Sequence, residues 1–320
     1  MTHFPKRLMT ALAIFAATPV LAEPVTIADA GYATQQGSAF IVKTLLEQQL
    51  GTETKIVPAT SVPVIWEALN RNKGEIDVWT DVWLPNQNGL VAQYTGDGKN
   101  VTLTANAYLG GQGYCTLTKT AEKYDIHSVY DLTDPEKAKV FAAKGSDRGQ
   151  IWLGAPGWLS TNYEEIRARD YGFAPFFNLV RSDEAVATAN LDNADKTDGA
   201  WIGYCYSPHQ NYARYKLTNL TEPAHDPATW VTADQSDPQW LDKSKIGSGY
   251  QDAAIHIAYS KHFADNNPEG VKIIEAIDFT TQDINQLAYA IAVQGLSPEQ
   301  AAQQWVSKNQ QRVAGWLAKS

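Results

Sequence analysis

The chain has 320 residues, with 35 acidic against 26 basic side chains, a formal net charge of −9, and 44 % hydrophobic residues. An acidic chain without a basic tract lacks the clustered Lys and Arg that phosphate backbones require, which excludes nucleic acid as a partner; the apolar fraction is too high and the charge too modest for a disordered chain. At about 150 residues per domain the length accommodates two domains or lobes, and the 10 Trp, large apolar side chains with a polar handle, direct attention to exposed aromatic surfaces.

Residues 1–22 have the pattern of an export signal. Lys6 and Arg7 supply a positive start, Leu8 to Val20 is an uncharged, Ala-rich apolar stretch, and Val20-Leu21-Ala22 ends on a small residue. The apolar run is shorter than the ~20 residues a membrane span needs, so cleavage after Ala22 is expected rather than an uncleaved anchor. No Cys stands at the cleavage point to carry a lipid, and no later segment is apolar enough to span. The expected product is a soluble protein of a bacterial periplasm. Without Lys6 and Arg7 the 26 basic residues fall to 24 against 35 acidic ones, a net charge of −11. Only Cys115 and Cys205 are present. In an oxidising compartment they allow one disulfide; they cannot build a structural zinc site, and no His pair has metal-ligand spacing.

Along the mature chain, Val25 to Tyr32 opens as a short strand that stops at Gly31. Ser38 to Leu50 has helical apolar spacing and ends at Gly51. Thr54 to Pro58 reads as a strand, Val62 to Asn70 as a helix and Ile76 to Leu84 as a β-branched, Trp-rich strand. This alternation predicts a mostly parallel sheet covered by helices. Ala107 to Lys119 reads as a strand with a Gly-rich bend at Gly110-Gly111, after which the pattern restarts. Helices are expected at 120–124, 135–143, 163–171 and 183–191, with strands at 200–206 and 217–222. Residues 224–251 read as an extended loop holding Trp230 and Trp240. Ala253 to Tyr259 is a returning strand. Helices follow over 273–279 and 281–294, then over 297–319, the last capped by Ser297-Pro298. The architecture expected is α/β, with lobe 1 from residues 23–110 and 226–320 and lobe 2 from 111–225.

The strand at 76–84 carries the sharpest local signal. With a period of 2, Asp77, Trp79, Asp81 and Trp83 share one face and the aliphatic residues the other. Indoles beside carboxylates are what a cation site needs, since the ring quadrupole and the full charge both attract a positive group. A sheet packed on both faces would instead bury Trp79 and Asp77. Trp83 stands at the strand's C-terminal end, where ligands of α/β sheets collect. The theme recurs at Gly31-Tyr32, at Ala155-Pro156-Gly157-Trp158 and at Tyr204-Cys205-Tyr206-Ser207-Pro208-His209, all at strand-to-loop junctions. The N–H groups entering the helix after Trp158 are suited to hold a carboxylate.

At these residues the chain resembles the substrate-binding proteins of ABC transporters for glycine betaine, proline betaine, choline and related quaternary amines. Trp83-Leu84-Pro85, Pro156-Gly157-Trp158 and Tyr206-Ser207-Pro208-His209 are similar to the family's aromatic-x-Pro and P-G-W elements. The stretch from Lys119 to Ile126, followed by Tyr130-Asp131-Leu132, Asp134-Pro135 and Phe141, is similar to its second-lobe opening. The resemblance implies a two-lobed, type II-like periplasmic-binding-protein fold with the ligand trapped in the hinge cleft. It implies an aromatic cage from Tyr32, Trp83, Tyr114, Trp158 and Tyr206, and a carboxylate contact at the N–H groups of Leu159 and Ser160. Gln87 stands where some betaine binders carry a His, and Asp81 favours a net cation such as choline. With Tyr114 and Tyr206 facing the cleft, Cys115 and Cys205 turn together to the opposite face, where they form a disulfide or stay as two buried thiols.

The function expected is capture without catalysis: a monomeric binding protein, without cofactor or metal, that delivers an onium solute to a membrane permease driven by an ATPase. The alternatives are an exported carbohydrate-active enzyme, for which Glu164-Glu165 is the candidate acidic pair, and a binding protein for another solute such as an amino acid. That acidic pair reads better as a solvated helix face, because neighbouring helical residues point ~100° apart. His256, inside an apolar strand, reads as a satisfied core histidine.

Overall fold

The structure, a computed structural model, describes residues 23–235 and 237–319; the expected export signal at 1–22 lies outside the described residues. The first part of the chain alternates β1 (Val25–Asp29), α1 (Ala33–Leu50), β2 (Thr54–Pro58), α2 (Val62–Arg71), β3 (Val78–Leu84) and α3 (Asn88–Tyr94). A long β4 (Val101–Leu117) leads through α4 (Thr118–Tyr124) and α5 (Pro135–Lys139) to β5 (Gly149–Gly154), α6 (Leu159–Asp170), β6 (Phe177–Arg181), α7 (Glu184–Lys196), β7 (Ile202–Ser207), α8 (Asn211–Arg214) and β8 (Leu217–Asn219). The return segment carries β9 (Trp230–Val231), α9 (Trp240–Lys243) and β10 (Lys245–Ile246). After it come β11 (Ala253–Ser260), α10 (Lys261–Asn266), α11 (Pro268–Ala276), α12 (Thr281–Ala292), α13 (Pro298–Lys308) and α14 (Gln310–Lys319). Among the described residues no helix is long and apolar enough to cross a membrane.

The strands join in the order β2-β1-β3-β11-β4-β7-β5-β6, with β8 also on β4. The β1–β2, β1–β3, β5–β6 and β5–β7 pairs are parallel, as the alternation predicts. β11 and β4 run antiparallel to their neighbours and make the sheet mixed. At ~3.4 Å per residue, the 17 residues of β4 reach about 58 Å. Its first part pairs with β11 up to Gly110, and its second part pairs with β7 from Gly111 onward. The bend expected at Gly110-Gly111 is therefore an exchange of partners within an unbroken strand. Gly110 is required there by space: a Cβ would come within 2.7 Å of Ile255 Cδ1, 2.8 Å of Ser207 O and 2.9 Å of Trp83 Cζ3.

Each part of the sheet has its own cores. One face of the first part packs Val25, Ile27 and Ile255 against α1 and the C-terminal helices; the other packs Ala28, Trp79 and Val82 against Ile65 and Trp66 of α2. In the second part Tyr114, Ile151, Phe173 and Phe177 are buried together. Burying each such side chain is worth about 1.5–3 kcal/mol.

Several elements depart from the sequence pattern. α1 starts at Ala33 rather than Ser38, because its first turns are stabilised by buried polar contacts. Gln35 bonds the N–H of Ala30 and the carbonyl of Ala28, and Ser38 bonds Thr80. β5 and β6, short and bounded by Gly or turns, escape a periodicity count. The expected single C-terminal helix is two, broken at Asn309, whose side-chain amide bonds the Trp305 carbonyl at 2.8 Å. The strict alternation expected for β3 fails too. β11 pairs His256 with Val82 but Ala258 with Trp79, so β3 carries one extra residue between those rungs, a bulge. Trp79 is fully buried beside Trp66 in the core rather than on a face shared with Trp83. Asp77 is buried as well and accepts hydrogen bonds from the Thr26 N–H and hydroxyl and from Ser260, all within 3.0 Å. His256 Nδ1 lies 2.8 Å from the Thr104 carbonyl, a satisfied histidine.

Cys115 and Cys205 are bonded across β4 and β7, with Cα atoms 5.7 Å apart and a sequence separation of 90. Closing so long a loop should contribute about 2–4 kcal/mol through the unfolded state. Thermal unfolding with and without a thiol reductant should show a clear fall in Tm on reduction, matched by Cys115→Ser/Cys205→Ser; an unchanged Tm in both contradicts a stabilising role.

Candidate functional site

Strand ends and helix starts from both parts of the sheet meet at one cavity. Tyr32 enters from the junction between β1 and α1, where its extended backbone caps α1. Trp83 stands at the end of β3, just before a cis Leu84–Pro85 bond; Tyr206 stands at the end of β7, just before a cis Ser207–Pro208 bond. Trp158 precedes α6, and Tyr204 lies two residues before Tyr206 on the same face of β7.

The rings contact one another edge to face. Tyr206 meets Trp83 at 5.7 Å and 90° and Trp158 at 5.8 Å and 84°; Tyr32 meets Trp158 at 5.2 Å and 70°. Tyr204 lies 5.9 Å from Tyr206 at 28°. Behind Trp158 stands Trp152, tethered through its indole N–H to the Ser182 carbonyl at 2.9 Å. Rings that meet largely at steep angles form the walls of a box, and each ring face turned to a desolvated cation is worth ~0.5–2 kcal/mol.

The polar side of the cavity is held as firmly. The Tyr32 hydroxyl donates to Asp81 Oδ2. Burial pushes the Asp81 carboxyl from 3.8 up to about 6, while hydrogen bonds from Tyr32 and Trp83 pull it down and the field of Glu184 adds to the rise. The distance from 3.8 to about 6 corresponds to roughly 3 kcal/mol against the charged form, which a bound cation is placed to recover. Gln87 accepts from the Trp66 indole at 2.7 Å and donates to the Asp81 carbonyl at 3.0 Å, so both ends of its amide orient the β3 end. Asn86 and Tyr204 both donate to Gln112 Oε1, at 2.6 and 2.8 Å, linking β3, β4 and β7 across the cavity. Leu159 and Ser160 line the wall at the first turn of α6, where helical N–H groups have no partner within the helix and face outward. Among the described residues no cluster of His, Cys, Asp and Glu has the makings of a metal site.

The cavity thus brings together Tyr32, Asp81, Trp83, Gln87, Trp158, Leu159, Ser160 and Tyr206. It does not include Tyr114. That residue shares a face and a rung with Tyr204, but Tyr114 is fully buried, stacked edge-on against Phe173 and under the Arg167 guanidinium, 4.9 Å from its ring. Tyr204, opposite Tyr114 on the neighbouring strand, lines the cavity instead, and the sequence carried a signal for it: Tyr204 and Tyr206 alternate onto one face of a strand that ends at the cavity. Gln112 and Asn86 carried no such signal, because their role depends on pairing between distant strands. Three other indoles lie away from the cavity, Trp79 in the core and Trp230 and Trp240 against Tyr163.

Glu164-Glu165 is split between interior and surface, so the expected solvated face holds for Glu165 and fails for Glu164. Glu164 is fully buried and paired with Arg167 at 2.6 Å, whereas Glu165 pairs with Arg181 on the outside. The two carboxyls diverge and both have cationic partners.

Comparison with known proteins agrees with this geometry. The family described as the substrate-binding domain of the ABC-type glycine betaine transport system matches residues 23–308. A glycine betaine/proline betaine-binding periplasmic protein of Salmonella typhimurium is 23 % identical over 245 residues, covering 73 % of this chain and 72 % of that protein. The glycine betaine-binding periplasmic protein OusX of Dickeya dadantii is 24 % identical over 248 residues, with coverage of 73 % and 72 %. In structure, an ABC-transporter choline-binding protein in complex with choline superposes with a TM-score of 0.71 at 23 % identity, covering 92 % of this chain and 91 % of that one. Lactococcal OpuAC, closed on glycine betaine, gives 0.70 at 21 % identity, covering 92 % and 99 %. These likenesses carry the two-lobed binding-protein fold, and the family match over residues 23–308 carries membership: the chain belongs to the substrate-binding domains of ABC-type glycine betaine transport systems.

Proposed function

We propose that this chain captures a quaternary ammonium or betaine-type solute between Tyr32, Trp83, Trp158, Tyr204 and Tyr206, with Asp81 as the counter-charge. The observation that carries this reading is the convergence of five aromatic rings and one buried carboxylate on a single cavity between the two parts of the sheet. An amino acid would need a clamp of hydrogen-bond acceptors around a primary ammonium; here five aromatic side chains and a single carboxylate line the wall. The N–H groups of Leu159 and Ser160 receive the ligand's oxygen, whether hydroxyl or carboxylate.

In this reading lobe 1 comprises residues 23–110 and 226–320 and lobe 2 residues 111–225, and the lobes close on the ligand. The export signal is removed after Ala22, the mature monomer works in the periplasm, and it hands its solute unaltered to an ABC permease driven by its ATPase.

Titration calorimetry with choline, glycine betaine, carnitine, proline betaine, trimethylamine N-oxide and sulfonium analogues tests the cage. At least one methylated onium compound should bind with Kd below ~100 µM, and Trp83→Ala and Trp158→Ala should each weaken it at least tenfold, about 1.4 kcal/mol. Absence of binding, or near-normal affinity in both variants, contradicts the site.

The raised Asp81 carboxyl predicts a pH dependence with a definite sign. Below about 6 the side chain is protonated and a cation must displace that proton; above it the carboxylate is ready. Affinity for a permanently charged ligand should therefore rise about tenfold from pH 5 to pH 7.5 and level off. Asp81→Asn should bind more weakly and lose the pH dependence. A flat wild-type profile would place Asp81 outside the ligand's field.

A further inference from the structure

A second carboxylate stands behind the cage. Glu184, in the first turn of α7, does not line the ligand cavity, yet its Oε2 accepts the hydroxyl of Tyr206, whose ring does. Its Oε1 lies 3.1 Å from His209 Nε2. His209 Nδ1 accepts the N–H of Asn211 at 3.0 Å, which leaves the ring proton on Nε2, directed at Glu184. His209 is buried, 5 % exposed, and Glu184 is largely shielded at 11 %. Burial pushes the Glu184 carboxyl up, but the His209 ring and hydrogen bonds from His209, Tyr206 and Gln210 outweigh it and hold the carboxyl below its usual range. Glu184 is therefore an anion at neutral pH.

The arrangement repeats the pair on the opposite wall. Tyr32 donates to Asp81 from one part of the sheet and Tyr206 to Glu184 from the other. A phenol that donates a hydrogen bond to a shielded carboxylate keeps its proton but gains negative character on its ring, and hydrogen-bonded chains polarise one another in a low-dielectric setting. The π face turned to the cavity becomes a better partner for a cation. The field of Glu184 also crosses the cage, since it adds to the rise of both the Asp81 carboxyl and the Tyr32 phenol. A permanent cation lying between the two anions is attracted to both. A zwitterion brings a carboxylate of its own into the same field and loses part of that gain. The first turn of α6 offers its N–H groups to either oxygen and favours the charged one, so the contribution of Glu184 is read from how removing its charge changes the ratio of the two ligands.

We propose that Glu184 is a specificity-determining, positioning residue that acts through the Tyr206 ring, and that together with Asp81 it tunes the cage for onium ligands of net positive charge over zwitterionic betaines. This rests on the onium reading of the cavity. The test is the ratio of choline to glycine betaine affinity, measured by calorimetry on the wild-type protein and on Glu184→Gln, which keeps the shape and removes the charge. The wild type should favour choline. Glu184→Gln should weaken choline about tenfold, about 1.4 kcal/mol, and leave glycine betaine unchanged or tighter. A merely structural role would weaken both ligands alike and leave the ratio untouched, which overturns the proposal while the cage reading stands. Wild-type protein that binds neither ligand overturns both. Should Glu184→Gln not fold, as judged by circular dichroism, Tyr206→Phe answers the same question: it keeps the ring, breaks the link to Glu184, and should lower the choline to betaine ratio about threefold, an unchanged ratio counting against the proposal.

Discussion

Asp81 is 3 % exposed, and even after its hydrogen bonds are counted the ionised form stays roughly 3 kcal/mol dearer than in water, chiefly through burial. Much of the cavity is arranged around that cost. The Tyr32 hydroxyl and the Trp83 side chain stabilise the carboxylate, Gln87 fixes the backbone that carries it, and Trp66 fixes Gln87. A full cation bound here relieves a penalty that hydrogen bonds only reduce. Aromatic faces suit the methyl groups of such a cation because they desolvate it without demanding hydrogen bonds that a quaternary nitrogen cannot make.

The scaffold makes this geometry possible by letting one strand serve both parts of the sheet. β4 changes partner from β11 to β7 between Gly110 and Gly111, and at that point Trp83, Ile255 and the Ser207 carbonyl crowd the space over Gly110. The two aromatic-x-Pro elements, Trp83-Leu84-Pro85 and Tyr206-Ser207-Pro208, therefore flank the same glycine. The Cys115–Cys205 bond lies on the opposite face of the β4–β7 pair from Tyr204 and Tyr206, so it fastens the ladder without entering the cavity.

Much of this was legible in the residues. The βα alternation gave the sheet its parallel pairs, and aromatics at strand ends pointed to the cavity, because local periodicity and strand polarity govern both. What escaped depends on tertiary pairing. The bulge in β3 that sends Trp79 into the core is set by β11, nearly two hundred residues away in the chain. Tyr114 and Tyr204 are equivalent by alternation, and only the packing of α6 with Arg167 over Tyr114 separates them. Glu164 looked like a solvated acid because its buried partner Arg167 lies on the next turn of the same helix, where charge counting does not distinguish an inner face from an outer one.

The central claim, that a cation settles against the buried Asp81 within the ring cage, is tested most directly by proton counting. Calorimetry at pH 6 in buffers of different ionisation enthalpy measures the protons exchanged on binding. With a carboxyl at about 6, choline binding should release about half a proton per site, and Asp81→Asn should release none. Measurable binding without proton release by the wild-type protein would contradict the account.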